Sequence, residues 1–225
     1  MGNNNKWLEE SPRTLTKLKL FFGNLAVYVR NRQYRDFMKI IKPGKETTVL
    51  DVGVSGIERI KGTNLFEKLY PYPNNLTVTT IEQKDIIRKN YPKINVVKVK
   101  VGCKLPFATK KFDVSVSWAT LEHIGGYKKQ EEFLNELLRV GKKVYITTPY
   151  RGCIYEPHSE LFFLHWLPLK LFRTICILIG KNFWSSEDHL NPLYVSDITK
   201  MNLIRKVELK VYKTFGFIPS HIIIS

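Results

Sequence analysis

The chain has 225 residues, of which 44% are hydrophobic and 25% are charged. This length suits one domain with attachments, and the composition excludes a disordered chain. The formal net charge is +16, from 36 Lys and Arg against 20 Asp and Glu. It favours an anionic partner, which can be nucleic acid, phospholipid headgroups or a phosphate-bearing substrate.

The three cysteines, Cys103, Cys153 and Cys176, are widely spaced and form no Cys-x-x-Cys. This spacing argues against a disulfide framework or a zinc site and favours a reducing compartment. The polar N-terminus lacks the apolar core of a signal peptide, and the sequence has no apolar run of about 18 residues. We therefore expect a cytoplasmic protein, either soluble or peripheral to the membrane.

Apolar residues recur at three- and four-residue steps through residues 14–42, which predicts helix up to Pro43-Gly44. We assign residues 1–45 to an N-terminal helical cap that covers the core. We expect the three arginines of this stretch to face water. The alternative is that the stretch covers the substrate and that these arginines form a basic rim around it. They are Arg30, Arg32 and Arg35.

Five apolar stretches then alternate with helical patterns, which indicates an α/β fold with a parallel sheet. The helices between them include one that carries Leu65, Phe66 and Leu69 and one near residues 128–140. Two further strands near the C-terminus, 207–212 and 218–224, predict a hairpin around Gly216. The five strands are predicted near residues 47–52, 76–82, 95–101, 112–117 and 143–148.

Residues 151–192 interrupt this alternation with a strongly apolar segment. We expect it to pack against the N-terminal helices; the alternatives are a substrate lid or an interfacial helix dipping into a membrane, with Lys170 and Arg173 at the headgroups. Its apolar stripe consists of Leu161, Leu164, Leu171, Ile175 and Leu178.

The first strand runs into a small-residue turn, Asp51-Val52-Gly53-Val54-Ser55-Gly56. A dinucleotide fingerprint needs glycines at positions one, three and six of such a turn, but Ser55 and Glu58 hold the last two. A second acid, Glu82, ends the next apolar stretch, where a carboxylate can accept both hydroxyls of a ribose. The pattern favours a nucleoside ligand at the carboxyl ends of the strands.

Several short motifs follow this turn along the chain. The turn and the motifs together resemble the class I S-adenosylmethionine (SAM)-dependent methyltransferases, and within that class the methyltransferases of type 11. The glycine pattern of that family departs here at Ser55 and Ile57, and Val101 replaces an acid that often precedes the Leu-Pro-Phe run. The motifs are Leu105-Pro106-Phe107, Lys111 to Ser117, Leu121-Glu122-His123-Ile124 and Val144 to Pro149.

The resemblance implies an α/β, Rossmann-like fold, a seven-stranded, mostly parallel sheet with a C-terminal antiparallel β-hairpin. It assigns residues 46–225 to a SAM-dependent methyltransferase domain with a helical lid insert at 151–192. The implied cofactor is SAM. The implied cofactor-binding residues are Asp51, Gly53 and Ser55 near the methionine and sulfonium, Glu82 at the ribose, Gly102 and Cys103 at the adenine, and Ser117, Trp118 and Ala119 facing the methionine.

Methyl transfer from SAM requires a base only where the acceptor must lose a proton, as a hydroxyl does. The candidates are His158 and Glu156 at the start of the insert, and His123, which in this family often packs structurally. Some relatives bind a metal through an acid three residues before the Glu; Ala119 stands there, so we expect no metal.

The predicted function is methyl transfer to a small or lipid-linked acceptor, such as a sugar or glycolipid hydroxyl, held under the insert. With such an acceptor, we also expect peripheral contact between the protein and an anionic membrane. An RNA methyltransferase stays open but is less favoured, because Ser117-Trp118-Ala119-Thr120 stands where base-modifying enzymes often carry Asn/Asp-Pro-Pro-Tyr/Phe. A regulatory protein that binds SAM without turnover is the other alternative.

Overall fold

The computed structural model describes residues 17–58, 62–81, 83–100, 102 and 104–225, with the backbone alone for residues 17–22. A seven-stranded sheet forms the centre, in the order β3-β2-β1-β4-β5-β9-β8. Only β9 runs antiparallel to its neighbours, which confirms the predicted mostly parallel sheet with a C-terminal hairpin. The strands of this sheet are β1 Val49–Val52, β2 Leu76–Thr80, β3 Asn95–Lys98, β4 Phe112–Trp118, β5 Gly141–Pro149, β8 Leu209–Thr214 and β9 Ile218–Ile224.

Six α-helices surround the sheet within the described residues. The first, predicted from the apolar spacing of residues 14–42, is one continuous helix that ends before Pro43-Gly44. The helices are α1 Lys17–Ile41, α2 Leu65–Leu69, α3 Lys84–Asn90, α4 Tyr127–Val140, α5 Leu169–Leu178 and α6 Val195–Thr199.

Two hydrophobic layers hold these helices on the sheet. Because successive strand residues point to opposite faces, Val49 belongs to the layer under α1 and Leu50 to the layer under α4. Phe37 of α1 is fully buried and meets Tyr145 of β5 edge to face, with ring centroids 5.4 Å apart. The first helix therefore packs directly over the centre of the sheet.

The side chain of Arg30 departs from the expectation that the arginines of α1 face water. Its guanidinium turns inward and donates to the Gly62 carbonyl at 2.6 Å. Burial lowers the pKa of Arg30, while the carboxylates of Glu122 and Glu67 act to raise it. The expectation was wrong for Arg30 because these acids, distant in sequence, lie under the helix.

The segment between β5 and α6 has its own small structure. Strand β6, Tyr155–Glu156, pairs antiparallel with β7, Leu161–Phe162. A 3₁₀ turn at Leu164–Trp166 then leads through Pro168 into α5. Among the described helices of the chain, none is long and apolar enough to cross a membrane.

The buried face of α5 differs from the predicted stripe. Phe172 and Cys176 are fully buried against Trp184 and Leu190, whereas Leu178 is 78% exposed. The stripe was wrong because the 3₁₀ turn breaks the helical phase before α5 begins. The cluster around Phe172 contains no described residue of α1, so the expected packing on the N-terminal helix is not what buries this face.

Candidate active site

The turn after β1 closely approaches the end of β4. Gly53 adopts φ +102°, and a Cβ there would lie 2.5 Å from the Thr120 side chain. Only glycine combines this left-handed backbone with so close an approach. Gly53 is itself exposed, so the edge of the sheet stays open to a ligand at this point.

Ser55 shapes the same turn where the related family has a glycine. Its Oγ accepts a hydrogen bond from the Ile57 N–H at 3.1 Å. Its carbonyl accepts one from the Asn64 side-chain amide at 2.7 Å, at the start of α2. Hydrogen bonds from side chain and backbone thus hold this turn.

Asp51 lies beneath this turn and faces a second acid. It is 2% exposed, and its pKa is raised well above the usual range by burial and by the adjacent Glu67 carboxylate. Burial likewise raises the pKa of Glu67, so the surroundings of both carboxyl groups favour their neutral forms. The carboxyl of Asp51 supports the turn from below; its predicted contact with the methionine side of SAM stays a prediction.

The end of β4 carries three of the predicted cofactor residues. Ser117 donates to the Val52 carbonyl at 2.8 Å and so ties β4 to β1. The Trp118 ring stacks on Phe66 with centroids 5.3 Å apart, on the side covered by α1. Ala119 adopts φ +51° and turns the chain at the sheet edge. Backbone at this edge, rather than the Ser117 or Trp118 side chains, is left to meet a ligand.

The remaining predicted cofactor residues follow the second and third strands in the sequence. Glu82 and Cys103 lie outside the described residues. Gly102 is exposed, adopts φ +70°, and has no atom within 4 Å of the position of an added Cβ. That open space leaves room for a flat adenine, and the predicted contact of Gly102 with the adenine stays a prediction. The Gly53 turn and this open space are the two features of the edge that a bound SAM would fit.

The three predicted catalytic residues come together at the same edge. Oε1 of Glu156 accepts a hydrogen bond from His158 Nδ1 at 2.6 Å. The His158 ring packs edge to face on the His123 ring, with centroids 4.6 Å apart. His123 belongs to the 3₁₀ turn Leu121–His123 just after β4, whereas Glu156 ends β6. Sequence-distant elements thus assemble one cluster.

Hydrogen bonding fixes the tautomers of both imidazoles. Nδ1 of His123 lies 2.7 Å from the His189 carbonyl, and a carbonyl only accepts, so this nitrogen carries the proton. The same reasoning puts a proton on Nδ1 of His158 against the Glu156 carboxylate. In each neutral ring the lone pair is then on Nε2.

The surroundings of the two acids in the cluster shift their pKa values in opposite directions. Burial acts to raise the pKa of Glu156, but the electrostatic influence of the adjacent His158 and hydrogen bonds from His158 and Ser159 outweigh it and lower the pKa to about 2. Burial raises the pKa of Glu122, whose Oε2 accepts from Thr148 at 2.9 Å. Burial, with the nearby His158, lowers the pKa of His123 to about 3. Glu156 is therefore ionised and His123 neutral at pH 7.

Sequence reasoning did not place Glu122, Thr148 or Trp184 in this site. Glu122 is part of the Leu121-Glu122-His123 motif, but the motif alone does not predict that its side chain is fully buried. Trp184 is 6% exposed and packs on His158 with ring centroids 5.4 Å apart. A lone Trp in a polar stretch carries no signal of this contact.

The cluster also has donors suited to a metal ion. One oxygen of Glu122 and one nitrogen each of His123 and His158 lie within 4.8 Å of one another. Two imidazoles and a carboxylate form a donor set that transition metals accept. The expectation that no metal is used stays a prediction.

Comparisons with known proteins agree with this geometry. Residues 55–144 match the family model described as "Methyltransferase domain". A putative methyltransferase from Bacillus halodurans superposes with a TM-score of 0.55 at 13% identity, over 85% of this chain and 96% of that one. YcgJ from Bacillus subtilis gives 0.53 at 14% identity, over 81% and 71%.

A putative Zn-dependent alcohol dehydrogenase from Rhodobacter sphaeroides gives a TM-score of 0.54 at 13% identity, over 86% of this chain and 87% of that one. At these identities the likeness shows the fold alone. No curated protein matches the chain significantly.

The sheet order and the open turn after β1 define a class I methyltransferase fold. With the match of residues 55–144 to the methyltransferase-domain model, they support a SAM-dependent methyltransferase, in agreement with the resemblance seen in the sequence. Its cofactor is SAM, as predicted.

Proposed function

We propose that this methyltransferase methylates a hydroxyl group on a small or lipid-linked acceptor, such as a sugar or glycolipid. The observation that carries the proposal is the contact between Glu156 and His158, whose ring packs on His123 in the turn that follows β4. A hydroxyl is a poor nucleophile until it loses its proton, so this acceptor class needs a base. A carboxylate–imidazole pair supplies one.

His158 is the proposed base. Glu156 holds Nδ1–H, which directs the Nε2 lone pair away from the carboxylate, and its charge stabilises the imidazolium that forms. The acceptor oxygen forms a bond to the methyl carbon while its proton passes to Nε2 of His158. Bound SAM supplies a methyl group on a positively charged sulfur, whose bond to that carbon breaks with the electron pair staying on sulfur.

His123 has a supporting role in this proposal. Its Nδ1–H is held by the His189 carbonyl, and its ring forms one wall of the position that His158 occupies. The low pKa of His123 keeps it neutral, so it adds no charge that would repel an imidazolium on His158. It is therefore a positioning residue, whereas His158 touches the acceptor.

We further propose that residues 151–192 form a lid over the acceptor. Trp184 packs on the His158 ring from one side, and Phe172 of α5 packs behind Trp184. An apolar cover excludes water, and this strengthens the interaction between the base and its carboxylate. Residues 1–45 supply the opposite cover in this proposal, through α1 and its inward Arg30.

The test is incubation with methyl-labelled SAM and separate lipid, sugar and RNA extracts. The proposal predicts alkali-stable label in the lipid or sugar fraction, nearly lost in His158→Ala and lowered to a lesser extent in Glu156→Gln. Asp188→Asn is the control, since Asp188 lies in the same segment, is exposed and makes only a surface pair with Lys129. Label confined to RNA would overturn the acceptor class and favour the nucleic-acid alternative.

A further inference from the structure

The outward side of α5 and of the turn before it is an exposed apolar surface. Leu178 is 78% exposed, Ile177 57% and Phe163 50%. Monomeric proteins rarely leave so many large apolar side chains together in water without a function. We call this the α5 surface, made of Phe163, Trp166, Leu171, Ile177, Leu178 and Ile179.

The packing of α5 fixes this face outward. Phe172 and Cys176 are fully buried on the opposite side of the helix. Arg173, which the sequence suggested for lipid headgroups, instead donates to the Asn191 side chain at 3.1 Å. Rotating α5 to hide Leu178 would therefore expose Phe172 and break this contact.

The charged residues within the segment 161–186 are all basic, but Arg173 is paired with Glu187, whose Oε2 lies 3.4 Å from its Nη1. Lys170 and Lys181 therefore supply the positive charge beside this surface. Lys170 is exposed in the first turn of α5, and Lys181 follows the end of the helix. A helix with apolar residues toward one side and lysines at its ends is the pattern of a segment that lies in an anionic membrane interface.

We propose that the α5 surface docks on an anionic phospholipid bilayer, with the helix lying in the headgroup plane. A second copy of the chain fits less well, because a two-fold contact would bring like-charged lysines together between two molecules of net charge +16. Trp166 suits the boundary, since its indole N–H is satisfied by the Cys153 carbonyl and its ring is exposed.

Docking also explains how a lipid-linked acceptor reaches the site. Phe172 on the inner side of α5 packs in one cluster with Trp184, and Trp184 contacts His158. The base thus lies two side-chain layers beneath the proposed membrane face. Only the delivery of a lipid-linked acceptor to His158 rests on the proposed function. Membrane docking itself requires no methyl transfer and can be measured in its absence.

The experiment is cosedimentation of the full chain with vesicles of phosphatidylglycerol in phosphatidylcholine, and with pure phosphatidylcholine vesicles. Wild type should bind the anionic vesicles, less so as salt rises. The double variant Ile177→Asp with Leu178→Asp should lower the partition coefficient about tenfold or more, since two exposed apolar side chains no longer enter the interface. Both positions are already exposed, so folding is unaffected; SAM binding verifies this.

The matched control is Ile204→Asp, at a residue that is 61% exposed on the loop before β8. It should bind vesicles as wild type does. Equal binding by the double variant and wild type would overturn the proposal. A second outcome would also overturn it: the wild type does not bind vesicles but forms dimers, and the double variant does not form dimers. A second copy of the chain would then cover the surface. A methylated lipid product without vesicle binding would also contradict docking, and would leave the proposed chemistry intact.

Discussion

Glu156 holds His158 through two hydrogen bonds to one oxygen. Oε1 accepts from Nδ1–H at 2.6 Å and from the His158 backbone N–H at 3.0 Å. Ser159 N–H donates to the other carboxylate oxygen. Both carboxylate oxygens are therefore engaged, and the imidazole is oriented before any acceptor binds.

This relationship predicts graded losses of turnover. His158→Ala should lower kcat about 10²–10⁴-fold, the usual contribution of a general base, with SAM affinity unchanged. Glu156→Gln should lose less, because the amide oxygen still accepts from Nδ1–H but no longer stabilises the imidazolium by charge. Steady-state kinetics with calorimetry of SAM binding measure both. A His158→Ala enzyme with wild-type kcat would remove His158 from the chemistry.

The turn after β1 predicts a defect in cofactor binding. Gly53→Ala forces a side chain into φ +102° and within 2.5 Å of Thr120, so Thr120 or the turn must shift. We expect about 1–3 kcal/mol of destabilisation and weaker SAM binding. Gly44→Ala is the control, because its added Cβ meets nothing nearer than 4.0 Å. Equal SAM affinity in wild type and Gly53→Ala would show that the turn does not cradle the cofactor.

The Asp51–Glu67 pair predicts a pH dependence of stability. Burial comes first among the causes that raise the pKa of both acids above the ordinary values of 3.8 and 4.5. A raised folded pKa stabilises the fold fully below the ordinary value, and this stabilisation is lost as pH rises through the folded value. Glu67→Gln should therefore be more stable than wild type at about pH 8, by ~1 kcal/mol, and the gain should shrink toward about pH 4.

Urea unfolding of Glu67→Gln at both pH values measures this difference, with the exposed Glu208→Gln as control. A Glu67→Gln chain that is less stable than wild type at both values would contradict a raised pKa for Glu67. That result would mean that Glu67 is ionised and paired with Arg30, whose charge acts to lower its pKa.

The donor cluster predicts the response to metals. Because the proposal uses His158 as a base, EDTA should leave kcat unchanged. Added Zn²⁺ should inhibit, since it can occupy Glu122, His123 and His158 together and remove the Nε2 lone pair. Inhibition should weaken in Glu122→Gln, which removes one charged donor. Loss of turnover in EDTA, restored by Zn²⁺, would make the site a metal centre instead.

The sequence predicted the central strands because β-branched runs mark strands buried on both faces. Thr47 to Val52 is such a run, and β1 occupies most of it. No local pattern predicts the order of the strands in the sheet, and it is known only from the structure. His123, Glu156 and His158 were predicted as separate candidate bases, and the structure brings them into contact. Their role in catalysis stays a prediction.

Tertiary contacts decided what the sequence pattern missed. Helical spacing puts Arg30 beside the apolar stripe, and only the acids Glu67 and Glu122 draw it inward. Trp118 follows a strand end as ligand-facing residues do, yet its ring joins the aromatic packing with Phe66 and Tyr145. The buried face of α5 depended on where its preceding turn reset the helical phase.

Labelling with methyl-labelled SAM tests the central claim most directly, with wild type and His158→Ala compared on lipid, sugar and RNA extracts. The account predicts alkali-stable label in a lipid or sugar product for wild type and little or none for His158→Ala. Label that appears only in RNA, or to the same extent in both proteins, would contradict it.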